Sequence, residues 1–170
     1  SLNGQDFTQR VATLRRIQEE LSVEPGVASA SAAEVALLTD SNSSSTVRVE
    51  GHEAKEGGDM NPNFNHVAPG FFGTLGIPLV AGRDLAESDV LGAPRVAVVN
   101  EVFARYFFKA ENPIGRRFGL RRTEKANDIE IVGVVRDGKA SSMREEQRRF
   151  VYLPYTQEPT VGGLTYYVRS

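Results

Sequence analysis

The chain has 170 residues, 40% hydrophobic and 25% charged, which excludes a disordered chain and is enough for one core or two small ones. No run nears the roughly 20 apolar residues of a membrane-spanning helix, and a net charge of −2 speaks against the concentrated basic face that nucleic acid or an anionic membrane requires. Lack of cysteine excludes disulfides, thiolate chemistry and zinc-thiolate sites, and fits a reducing cytosol and an exported domain equally; with no basic-then-apolar opening segment, composition alone points to the cytoplasm.

Phe7, Val11, Leu14, Ile17 and Leu21 recur at helical spacing, with Arg10, Arg15, Arg16, Glu19 and Glu20 between them. That predicts a helix over 6–21, capped by Asp6 and stopped at Pro25-Gly26. The small residues of 27–33 predict a strand that its neighbours approach closely. Residues 40–46 (DSNSSST) read as a solvated loop, and 46–50 as a half-buried strand from its alternating valines. A loose, glycine-rich stretch over 51–63 leads to a strand at 64–68. Pro69-Gly70 then opens a short helix with Phe71, Phe72 and Leu75 on one face and Gly76 at its end. Extended chain resumes at Leu79-Val80, and Gly82-Arg83-Asp84 turns it toward the polar residues 87–89.

The rest is organised around residues 95–115, RVAVVNEVFARYFFKAENPIG. Four apolar residues in 95–99 predict a buried strand, and Asn100 predicts the N-cap of a helix over 101–109, with Glu101 placed where the helix dipole favours negative charge. Val102, Phe103, Tyr106 and Phe107 share one face, while Glu101 and Arg105 sit four apart on the other. Asn112-Pro113 is expected to end the helix, with Ile114 tucked in and Gly115 freeing the turn. Strands are predicted at 116–118 and 128–135, joined through a charged loop at 121–127. Gly133, inside the second, predicts a bulge or close backbone contact. A brief helix at 141–146 and strands at 150–153 and 164–168 complete the chain.

Three constellations could carry chemistry. His52, Glu53, Asp59 and His66 are of metal-ligand type but lack clustered spacing, so solvated loop positions are the favoured reading and no metal site is assigned. Arg116, Arg117, Arg121, Arg122 and Lys125 form a basic cluster, yet Glu124, Asp128 and Glu130 interleave, and only Phe118 could stack, so no nucleic-acid partner is expected. Ser141-Ser142 have only Lys139 nearby as a base, and the turn at Asn100 has no glycine-rich phosphate loop. Asp84 with Asp89, and Glu145 with Glu146, are expected to be exposed charges. No catalytic, cofactor-binding or metal residue follows, and no cofactor.

Five runs stand in order: HVAPGFFGTLGIPLVAGRD (66–84), RVAVVNEVFARYFF (95–108), NPIGRRF (112–118), IEIVGVVRD (129–137) and FVYLPYTQ (150–157). Together with the opening helix and the turn at 25–27, they resemble the periplasmic core domain of MacB-type ABC-transporter permeases, most closely the acidobacterial-type permeases. The resemblance covers most of the chain. It implies an extracytoplasmic domain of an integral membrane protein, on the periplasmic side of the bacterial inner membrane, that follows a membrane helix and is excised here. It also implies a non-enzymatic role, transmitting conformational change and contacting partner or substrate. The implied partners are the remainder of the permease, its ATPase subunit or domain, and a periplasmic adaptor, outer-membrane exit duct or lipoprotein cargo. The matching residues Asn100, Pro113, Gly115, Gly133 and Pro154 specify shape rather than a reaction.

The expected fold class is α/β (α+β): a mixed or antiparallel sheet packed by helices over 6–21 and 101–109, with a smaller β-rich subdomain divided off near 82–95. Family members continue through further elements, so residues 1–170 are expected to be a C-terminally incomplete core domain that self-associates through an uncovered strand edge or the apolar face of its first helix. The rival reading is a small-molecule-binding or hydrolytic domain. It would be favoured by a pocket gathering His66, Asp84 and Asp137.

Overall fold

The run Val96–Asn100 has no polar residue before its last because both of its faces are buried. The computed structural model describes residues 2–33, 43–44, 47–49, 62–120, 128–136, 149–157 and 164–170. In chain order its elements are α1 (Leu2–Ser22), β1 (Ser29–Ala33), β2 (Ser43–Ser44), β3 (Val47–Val49), β4 (Asn63–Val67), α2 (Phe71–Leu75), β5 (Leu79–Gly82), β6 (Val96–Asn100), α3 (Glu101–Phe108), β7 (Arg117–Leu120), β8 (Ile129–Val135), β9 (Phe150–Pro154), a 3-10 turn (Tyr155–Gln157) and β10 (Thr165–Arg169). The strands form one mixed sheet in the order β10-β1-β4-β9-β6-β8-β7-β3, with β2 beside β4 and β5 beside β8. β4 with β9 and β6 with β8 run parallel, and the other pairs antiparallel. This is the expected α+β class.

Alternation along the central strands divides the core into two layers. Ala97 and Val99 pack with Phe103, Phe107 and Phe108 of α3, while Val96 and Val98 pack with Phe71 and Phe72 of α2. Fully buried Phe103, Phe71 and Phe118 each contribute about 2 kcal/mol relative to exposure in water. On β8, Ile129 and Ile131 lie in the α3 layer and Val132 in the α2 layer. Beyond Gly133 the parity reverses, with Val134 in the α3 layer and Val135 in the α2 layer. The β6–β8 register shifts between Ala97 and Val98, and one extra residue on a strand exchanges the faces of everything past it. Gly133 is thus a bulge and a close approach at once: a Cβ there would meet the Arg83 carbonyl oxygen. Gly82, paired with it on β5 and at φ 72°, would likewise meet the Val132 carbonyl.

α1 packs on β1 and β10, where Val11 and Leu14 meet Ala32, Ala68, Tyr155 and Tyr166. Of its expected stripe, Phe7 is buried and Val11, Leu14 and Leu21 are half-buried, but Ile17 is exposed. The seven-residue repeat through Val11 puts Gln18 on the buried face instead. The helix begins at Leu2, so Asp6 lies within it and is not its cap.

Three further expectations are corrected. The loop expected at 40–46 contains β2, whose Ser43 and Ser44 pair with Phe64 and Asn63; β1 covers only the Val67 end of β4, and main-chain pairing is indifferent to how polar the side chains are. α3 ends at Phe108, within one residue of the expected 109, but Lys109 rather than Asn112-Pro113 ends it: Lys109 takes a positive φ of 54° and its N–H donates to the Arg105 carbonyl. Asn112 instead shapes the following turn, its Oδ1 accepting from the Ile114 N–H at 3.1 Å. On α3 the buried residues are Phe103, Phe107 and Phe108, whereas Tyr106 is exposed, with the Arg149 guanidinium stacked over its ring at 3.9 Å. Asn100 does cap α3, accepting from the Phe103 N–H at 3.0 Å. The stretch 121–127 and the helix expected at 141–146 lie outside the described residues, as does most of 51–63.

Candidate functional site

His66 projects from β4 toward a shallow depression that it lines with Arg95, Leu153, Pro154 and Gln157. Asp84 is not part of that lining, and Asp137, His52, Glu53, Asp59, Lys139, Ser141, Ser142, Glu145 and Glu146 lie outside the described residues. Among the described residues no three His, Cys, Asp or Glu side chains are placed to share a metal ion. Of the basic cluster, Arg116 and Arg117 are described, and each is paired with an acid. Arg116 pairs with Glu111 at 3.1 Å and lies over the Phe108 ring, and Arg117 pairs with Glu130 at 3.8 Å. Phe118 is fully buried and faces the core rather than any base.

Polar side chains do converge in the segment 83–95, which leaves β5 at Gly82 and enters β6. Asp89, expected to be exposed, is buried. Arg83 meets both of its carboxylate oxygens, at 3.0 and 3.2 Å, and the Ala86 N–H donates to the same carboxylate at 2.7 Å. A buried carboxylate is tolerated because its charge is paired and its lone pairs are filled. Thr156 donates its hydroxyl to the Asp89 carbonyl at 2.6 Å. Gln157, also buried, donates to the carbonyls of Val90 and Pro94 and accepts from the Val96 N–H. The loop is thereby braced within itself and stitched to the end of β9.

Asp84, half-buried beside this knot, holds the Leu85 N–H. Burial raises its carboxyl pKa above the ordinary value, against the Leu85 hydrogen bond and the Arg83 charge, which both lower it. A raised carboxyl pKa means that the folded chain holds the proton more tightly than the unfolded chain. Stability is therefore gained as pH falls through the carboxylate range and lost as Asp84 ionises. Asp84→Asn, neutral throughout, is expected to raise Tm relative to the parent at pH 7 and to show a smaller difference at pH 3. A difference that is the same at both pH values would sink this reading.

The second convergence joins the first helix to the last strand. Tyr166 of β10 donates its hydroxyl to the Leu14 carbonyl at 3.3 Å, and the Ala28 N–H donates to the Arg169 carbonyl at 2.6 Å. Gln18 bridges two other elements, donating to the carbonyls of Ala30 at 2.9 Å and Pro69 at 3.0 Å. Ser31 donates to the Ala68 and Pro69 carbonyls, and Arg169 reaches the Gly73 carbonyl at 2.9 Å. Arg15 donates to the Glu87 carbonyl at 2.9 Å, which ties α1 to the 83–95 segment. Burial raises the pKa of the Tyr155 hydroxyl, and the charge of nearby Arg15 pulls it back down. Sequence reasoning assigned no role to Arg15 or Gln18. Their place on the helical face shared with Val11 and Leu14 was the available signal.

These arrangements fasten elements to one another rather than converge on a reacting atom. The family model described as the MacB-like periplasmic core domain matches residues 3–169. No curated protein matches the chain. Among solved structures, the periplasmic region of MacB from Actinobacillus actinomycetemcomitans superposes with a TM-score of 0.60 at 22% identity, covering 89% of this chain and 62% of that one. The extracellular domain of the noncanonic ABC-type transporter YknZ from Gram-positive bacteria superposes with a TM-score of 0.56 at 16% identity, covering 89% of this chain and 70% of that one. At such identities the likeness to these structures is one of fold, and this chain spans about 62% of the length of the MacB region.

Proposed function

Because the chain belongs to the MacB-like periplasmic core domain family, whose members are extracytoplasmic domains of ABC-transporter permeases, we propose that it transmits conformational change between the permease's membrane part and a partner outside the membrane. The observation that supports this is the α1–β10 corner. The helix α1 and the strand β10 lie against each other, fastened by the Tyr166 hydroxyl on the Leu14 carbonyl, and the turn after α1 is held to β10 by the Ala28 N–H on the Arg169 carbonyl, so displacement of either is felt by the same side of the sheet. In this reading residues 1–170 are the core domain, with any subdivision near 82–95. The domain itself is non-catalytic, and it sits on the periplasmic side of the inner membrane. Its partners are the rest of the permease, an ATPase subunit or domain on the other side, and an adaptor or lipoprotein cargo.

The test uses the intact permease with its ATPase. Leu14→Cys and Tyr166→Cys, joined by a short cleavable crosslinker, lock α1 to β10. ATP turnover is expected to fall several-fold on crosslinking and to recover on cleavage, whereas adding the crosslinker to either single-cysteine protein is expected to leave its own turnover unchanged. Unchanged turnover in the fully locked permease would refute transmission through this corner.

A further inference from the structure

Among the described side chains of α1, Phe7 alone is buried, Val11, Leu14 and Leu21 are half-buried, and Ile17 is exposed, so apolar burial over 7–22 is thin. Polar contacts add to its hold, and Arg15 is the one that reaches the 83–95 segment. Its guanidinium donates to the Glu87 carbonyl at 2.9 Å, while its Nε is buried with no hydrogen-bond partner. An unsatisfied buried donor regains water when the contact opens, so release of Arg15 is less costly than release of a fully paired group. Glu87 lies between Ala86 and Asp89, the two residues that close the loop upon itself: the Ala86 N–H donates to the Asp89 carboxylate, and the Asp89 N–H donates to the Ala86 carbonyl at 3.0 Å. From the far side, Thr156 and Gln157 anchor the same loop to the end of β9. The Glu87 carbonyl therefore belongs to a short closed loop with two external anchors, one of which is the helix.

We propose that Arg15 couples α1 to the 84–94 loop as one displaceable unit, so that loosening the loop loosens the helix and loosening the helix frees the loop. Such coupling is reciprocal by thermodynamic necessity and runs through the direct Arg15–Glu87 contact, so it needs no movement of the sheet. It would give the chain a defined place at which motion of α1 changes a surface loop. It goes beyond the transmission reading and does not depend on it.

Amide hydrogen exchange on the 170-residue chain tests the coupling. Arg15→Ala is expected to speed exchange of the Ala86 and Asp89 amides roughly five-fold or more, while β6 amides, which report global unfolding, change far less. Asp89→Asn, which alters the loop without touching α1, is expected to speed exchange in the second half of α1, and to lose that effect in the Arg15→Ala background. Arg15→Lys, which keeps the charge, serves as the helix variant if Arg15→Ala does not fold. The proposal is overturned if Asp89→Asn leaves α1 exchange unchanged, or if it speeds α1 equally with and without Arg15.

Discussion

Replacing Gly133 with alanine is expected to destabilise the domain by about 3 kcal/mol or more, because the new methyl group has nowhere to go. It would stand on the Arg83 carbonyl oxygen, with the Arg83 carbonyl carbon and the Leu79 side chain also close. Backbone cannot swing aside as a flexible side chain can, so relief requires β5 to leave β8, and with it the contact between the Arg83 N–H and the Val132 carbonyl at 2.8 Å. The bulge that sets the faces of Val134 and Val135 would be strained by the same movement. Gly73 is the internal comparison. It lies in α2 with open space at its Cβ position, so Gly73→Ala is expected to be neutral or to stabilise by up to about 1 kcal/mol through helix propensity. Denaturant midpoints at constant slope measure both. Equal losses at the two sites would show that close approach at Gly133 is not what that glycine provides.

Asn100→Ala is expected to cost about 2–4 kcal/mol, well above a helix cap alone. The side chain is buried, and its Oδ1 accepts from two donors: the Phe103 N–H in the first turn of α3, and the Phe150 N–H that begins β9, both at 3.0 Å. Alanine removes the cap, worth about 1 kcal/mol, and also leaves a strand amide without its partner, at about 1–3 kcal/mol. Asn100→Ser separates the two contributions, because a serine hydroxyl can cap its own helix but is too short to serve β9 as well. Serine is expected to recover roughly 1 kcal/mol of the alanine loss. An alanine variant that loses only that amount, with serine fully native, would mean that the Phe150 contact adds nothing.

Asn100 also shows how far the residues could be read before the fold was known. Its capping role follows from a valine strand ahead and an amphipathic run behind, and both are local. Its bond to Phe150 spans 50 positions and leaves no periodic trace. The same division runs through α3: its apolar content predicted a buried face, but whether Tyr106 or Phe108 lay inside depended on where the helix sits over β6 and β9, and Phe108 is the buried one. Arg15, Gln18, Arg83 and Asp89 carry the polar fastening of the molecule, and sequence reasoning gave none of them that role. A buried polar residue looks like an exposed one until its partner is known.

By itself the sequence determined the units whose causes lie within a few residues: the α1 periodicity, the β6–Asn100–α3 unit, the short α2 between glycines, the strands of the sheet other than β2, and the special backbone at Gly133. It also carried the ordered runs that identify the family. Only the tertiary structure decided the strand order, the pairing of β2 with β4, which of Tyr106 and Phe108 is buried, and the burial of Asp89 beneath Arg83 and Thr156. The physical reason is range. Helix periodicity, caps and turns are set by neighbouring side chains and backbone sterics, whereas the satisfaction of a buried donor or carboxylate is set by whichever distant segment the sheet brings within about 3 Å.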